Sequence, residues 1–167
     1  MVVAGVVALT SVVSAVPVSA DVSRVVYFPV QSNTVCDDTN YQYHFELDIS
    51  NISNVSGEVT LYLYKKDGTL LTQKQPAGYG LNSDITPGTP ININGNSTLQ
   101  YTVRSGLSGV LPCEARPSYG KIEVNSNSAQ FVATGEVTSS RSVPVGTTTF
   151  WATYNNTTVT INEGKPF

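Results

Sequence analysis

Residues 41–49 read YQYHFELDI and hold an unbroken two-residue alternation. Tyr41, Tyr43, Phe45, Leu47 and Ile49 fall on one side, and Gln42, His44, Glu46 and Asp48 on the other. Side chains of a strand point alternately to opposite faces, so this segment is expected to be a β-strand with one face on a core and one in water. One-sided burial is the habit of antiparallel sheets, whereas parallel sheets are covered on both faces.

Outward from this strand, the pattern repeats. NISNVSG turns the chain, and EVTLYLYKK (58–66) alternates again. Asp67-Gly68 before TLLTQ is a tight-hairpin signal, because both residues tolerate positive φ. Residues 76–97, rich in Gly, Pro and Asn, predict a long surface loop. STLQYTVRS (97–105) resumes the alternation through Leu99, Tyr101 and Val103, and YGKIEV, AQFVATGEV, TTTFWATY and TTVTINEG predict four more short strands. Upstream, VSRVVYFPV (22–30) is an apolar run whose Pro29 suits an edge strand. No window carries a helical period. Eight or so strands with frequent turns predict an all-β, antiparallel two-sheet sandwich, immunoglobulin-like or jelly-roll-like, with residues 21–167 as a single domain.

Composition agrees with that fold. Charged residues are 13% of the 167, and Asn, Ser, Thr and Gly stand where Lys and Glu would otherwise cover helices. The net charge is -3, and no basic cluster exceeds the pair Lys65-Lys66. Nothing in the chain would track a phosphate backbone, so no nucleic-acid partner is expected.

Residues 1–20, MVVAGVVALTSVVSAVPVSA, contain no charge. Val18 and Ala20 after Pro17 fit the small-x-small cleavage pattern of a secretory signal, although a basic n-region is missing. Three readings stay open: a cleaved signal peptide, a hydrophobic N-terminus kept after an upstream leader is removed, and a retained anchor long enough to span a bilayer. Each places the domain outside the cell or at its surface. In such a compartment the two cysteines, Cys36 and Cys113, are expected to form one disulfide.

Candidate sites are few. His44, Glu46 and Asp48 share one strand face, where a metal ion could use them, but a lone histidine among carboxylates is more often a solvated face. Asp37, Asp38 and Asn40 offer calcium-type oxygens, yet Asp and Asn are also turn formers and match no specific calcium loop. No paired-acid spacing, G-x-S-x-G turn or phosphate loop occurs, GLSG at 106–109 breaking the serine pattern. No enzyme activity, cofactor or metal is therefore expected. Tyr62 and Tyr64 project from one face of their strand, with Trp151 and Tyr154 elsewhere. Such residues stack on sugars, enter an interface or cap a core, and capping is the expectation. Asn51, Asn54, Asn96, Asn155 and Asn156 open N-x-[ST] sequons, which permit glycosylation.

The run FELDISNISNVSGEVTLYLYKKDGTLL (45–71) resembles the front half of many secreted immunoglobulin-like modules, over about a quarter of the domain. The resemblance implies a secreted sandwich of the kind used as a surface or filament subunit, and it carries over no binding residue.

The functional expectation is a structural subunit of an extracellular, pilus-like filament or a surface layer. Its partners would be copies of itself, joined head to tail through the N-terminal region. Val22, Val25, Val26, Tyr27, Phe28 and Val30 are the expected contact residues, because an unpaired apolar edge is a template for another chain. The alternative is a secreted carbohydrate-binding sandwich whose partner is a polysaccharide.

Overall fold

The computed structural model describes residues 24–31, 34–37, 39–77, 81–107 and 109–167. They form nine strands: β1 (Arg24–Pro29), β2 (Tyr41–Asn51), β3 (Gly57–Lys65), β4 (Leu70–Leu71), β5 (Ile91–Ile93), β6 (Ser97–Gly106), β7 (Pro117–Val124), β8 (Phe131–Val145) and β9 (Thr148–Thr160). Among the described residues the only helical pieces are two short 3-10 turns, Cys113–Ala115 and Asn162–Gly164. One antiparallel sheet runs β1-β7-β3-β4, with β5 also on β3, and the other runs β6-β2-β8-β9. This is the two-sheet sandwich that the alternation in 41–49 predicts.

The inner faces meet as expected. From β2, Tyr43, Phe45, Leu47 and Ile49 are fully buried, and they face Val59, Leu61 and Leu63 of β3 and Ile122 and Val124 of β7. Each such side chain contributes roughly 1.5–3 kcal/mol by leaving water. At one end of the sandwich, Cys36 and Cys113 are bonded, with Cα atoms 5.8 Å apart. Arg116 fastens the same end, donating to the carbonyls of Cys113 and Thr34 (2.7 Å each) while its guanidinium lies over the Tyr43 ring.

One local expectation is met and two are corrected. Asp67-Gly68 does close a tight hairpin between β3 and β4: Gly68 N–H donates to Lys65 O and Lys65 N–H to Thr69 O, with Gly68 at φ +82°. That is a turn closed by a glycine bulge, the usual form of a longer hairpin loop. The stretch 76–97 is not merely a surface loop. Ile85 and Ile93 enter the core, β5 pairs with β3, and backbone groups of Asp84 and Ile85 bond the outer edge of β6. Finally, the two strands expected in TTTFWATY and TTVTINEG are one, β9, which ends at Thr160 before the 3-10 turn and carries a bulge at Tyr154, where the register steps from Ser139↔Asn155 to Ser140↔Thr153.

Candidate functional site

The feature that stands apart is the far end of the β8–β9 hairpin. β2 accompanies β8 to the pair Tyr41↔Arg141, Ser142 N–H still donates to Asn40 O, and β8 and β9 then continue as a pair to Val145↔Thr148. Gly146, at φ +62°, opens the two-residue loop that joins them, as a hairpin turn matched to strand twist requires. Among the described residues no third strand and no opposing sheet covers either face of this ribbon. Val145 (59%), Phe150 (55%), Trp151 (49%) and Tyr154 (63%) are among its exposed residues. At its base the Tyr154 ring meets Tyr41 edge-on at 5.8 Å, and the Arg141 guanidinium lies over the Tyr41 ring, 5.6 Å from its centroid. An isolated two-stranded ribbon is marginal in water, and large apolar side chains exposed on both of its faces mark a contact.

A second surface is the outer face of the β1-β7-β3 sheet. Tyr62 and Tyr64 do not cap the core; Leu61 and Leu63 do, and the tyrosines point outward. Tyr64 stacks on Tyr119 of β7 with ring centroids 4.7 Å apart and planes 13° from parallel. In the next row Lys121 lies 4.3 Å from the Tyr62 centroid, bonded to Glu123, with Tyr27 (68% exposed) opposite it on β1. The Glu123 carboxylate holds the Lys121 ammonium above its ordinary range.

The outer face of the second sheet carries the acidic residues. Glu46, Asp48 and Glu136 line a shallow notch of about 200 Å³ with Thr134, Gly135 and Thr158. Glu46 and Glu136 are direct cross-strand partners, a juxtaposition that no spacing in the sequence reveals. Gln100 donates to Glu46 (2.9 Å) and Asp48 (3.2 Å), and Thr138 to Glu136 (2.8 Å). Burial, Asp48 and Glu136 together push the Glu46 carboxyl up. His44 Nε2 lies 2.6 Å from Thr102 Oγ1. Burial, and then the Arg104 charge, hold its imidazole down at about 4. At neutral pH the ring is therefore uncharged, and the 3.8 Å approach of Glu46 is not an ion pair. Among the described residues no three His, Cys, Asp or Glu are placed to hold a metal ion.

Asp37 behaves as a turn former. Its carboxylate accepts from Asn40 N–H, Thr39 Oγ1 and Thr39 N–H, which lowers its pKa. Asp38 lies outside the described residues. Of the sequons, Asn54, Asn96 and Asn156 are exposed and Asn155 is half-buried, whereas Asn51 is 1% exposed. The Asn51 amide donates to the carbonyls of Val55 (2.8 Å) and Ile93 (2.9 Å), so the folded chain has no room for a glycan there.

The expected N-terminal contact residues divide. Phe28 and Val30 belong to the chain's own core, Val26 packs against it, and only Val25 and Tyr27 are presented outward. These five lie on or beside a strand paired with β7 of the same sandwich, while Val22 lies outside the described residues. The β8–β9 ribbon escapes the sequence reading, because Phe150, Trp151 and Tyr154 all fall in TTTFWATY, which reads as one short strand with nothing to show that its partner strand runs on alone.

No family model matches the chain, and no curated protein matches it. A crystal structure of Thermotoga maritima 1070 is similar over 85% of this chain and 97% of its own, at 14% identity and a TM-score of 0.39. A likeness at that level bears on neither the ancestry nor the function of this chain.

Proposed function

We propose that this chain is a structural subunit of an extracellular filament or surface layer, working by contact with copies of itself rather than by chemistry. The exposed aromatic ribbon at the end of β8 and β9 carries the reading, since among the described residues nothing packs over Phe150, Trp151 and Val145. The disulfide suits an oxidising compartment, and the uncharged surface of β9 suits repeated packing. Contact through the region before β1 remains part of this proposal as a second surface, which an open assembly would need. The test is light scattering and negative-stain imaging of the native protein beside a variant in which residues 143–151 are replaced by a short Gly-containing turn. Loss of association in the variant supports the reading, and a native protein that stays monomeric at high concentration refutes it.

A second reading, polysaccharide binding, is favoured by the tyrosine rows on the other sheet. Tyr27 and Tyr119 present ring surface beside the Lys121–Glu123 pair, which offers donors and an acceptor to hydroxyl groups. Tyr27→Ala with Tyr119→Ala should abolish retention on a polysaccharide matrix if that reading holds.

A further inference from the structure

A sandwich has four sheet edges; here two of them are covered and a third is blunted. The outer edge of β6 is bonded by Gln75 N–H to Thr102 O, by Asp84 and Ile85 N–H to Gln100 O, and by Leu111 N–H to Arg104 O. The outer edge of β3 carries β4, β5 and Gly88 N–H on Leu61 O. The edge at β1 is short, bears Arg24, and ends at Pro29, which has no donor. β9 is different. It runs Thr148–Thr160 as TTFWATYNNTTVT, without a charge or a proline, and among the described residues no strand lies beyond it. Its single protective device is the bulge at Tyr154, which leaves Thr148–Thr153 as an uninterrupted run on the open ribbon.

We propose that β9 is a strand-pairing edge whose occupant is β9 of a second copy, laid antiparallel across a two-fold axis. The inference rests on the assembly reading above and specifies its contact. The absence of charge permits this partner. Two identical strands of this composition oppose no like charges, whereas most strand edges carry Lys or Glu that would. Position supports it as well. Phe150 and Trp151 lie at the middle of Thr148–Thr153, so two-fold antiparallel pairing there brings the aromatic residues of both copies together. It also supplies the two-stranded ribbon with the further strands it lacks. The four-stranded sheets β6-β2-β8-β9 of the two copies would then be continuous.

Charge exchange tests the mode. Trp151→Lys and Trp151→Glu each place two like charges near the axis, at a position exposed in the single chain. Each variant alone should lose the β9-paired dimer while keeping its circular dichroism, with a melting temperature that falls to that of the dilute wild-type chain. An equimolar mixture should recover the dimer mass. If the wild-type chain associates but both variants associate equally well, or if the mixture stays monomeric, β9 pairing is wrong while the assembly reading survives. If the wild-type chain is monomeric throughout, both fall.

Discussion

The Phe28 ring lies so close over Gly120 that a Cβ added to that glycine would meet Phe28 Cζ at 2.4 Å and Leu63 Cδ2 at 2.9 Å. Only a residue without a side chain lets β1 and β3 press their apolar residues together across β7, where Phe28, Gly120 and Leu63 share one row. β1 is thereby seated in its own sandwich.

Gly120→Ala should therefore destabilise by about 1–3 kcal/mol through overpacking. Phe28→Ala should cost about 3–5 kcal/mol through the cavity it leaves. Urea denaturation measures both, and an unchanged midpoint for either would mean that β1 is not held there in solution.

Reduction of the Cys36–Cys113 bond, or Cys36→Ser, should lower stability by up to about 4.5 kcal/mol, the chain-entropy value for a separation of 77 residues. Peptide mapping without reductant should recover the two cysteine peptides joined. Two separate thiol peptides would contradict the pairing.

Acid should destabilise the fold partly through His44. An unfolded histidine takes up its proton near 6.5, but the folded ring does so only near 4. Between those values the unfolded chain binds more protons, so stability present above pH 6.5 is lost as pH falls toward 4, by on the order of 3 kcal/mol in full. The neighbours facing the ring are Thr102 and Arg104 of β6, Thr138 and Glu136 of β8, and Glu46. Glu46, raised above 4.5, acts in the opposite sense just above that value. The clean comparison is thus the melting temperature of His44→Gln against the native chain across this range. His44→Gln should show the flatter acid limb, and parallel curves would contradict the assignment.

How much of this was legible beforehand follows from the residues. In β2 one face is wholly apolar and the other polar, so strand, core face and sheet type could all be read. In EVTLYLYKK both faces are apolar, Leu61 and Leu63 against Tyr62 and Tyr64, and periodicity alone could not say which faced the core. Cys36 and Cys113 were legible because two cysteines admit one intramolecular pairing. The Glu46–Glu136 notch was not, because its members meet only through β2–β8 register. Ile85 and Ile93 were hidden among turn residues, and Asn51 read as a sequon until its amide proved to be bonded inside the fold.

Asn51 supplies a further check. Asn51→Ala would strand the Val55 and Ile93 carbonyls and cost about 1–3 kcal/mol. In a glycosylating host, mass mapping should find any glycan on Asn54, Asn96, Asn155 or Asn156 and none on Asn51 of folded protein.

The central claim is that the β8–β9 ribbon is covered by another copy, and Trp151, the only tryptophan in the chain, sits on that ribbon. Its fluorescence emission across a dilution series is the most direct measurement. The account predicts a solvent-exposed, long-wavelength emission in dilute protein that moves to shorter wavelength as concentration rises, in step with the growth in mass. An emission maximum that stays solvent-exposed and constant while the protein associates would place the contact elsewhere and contradict the account.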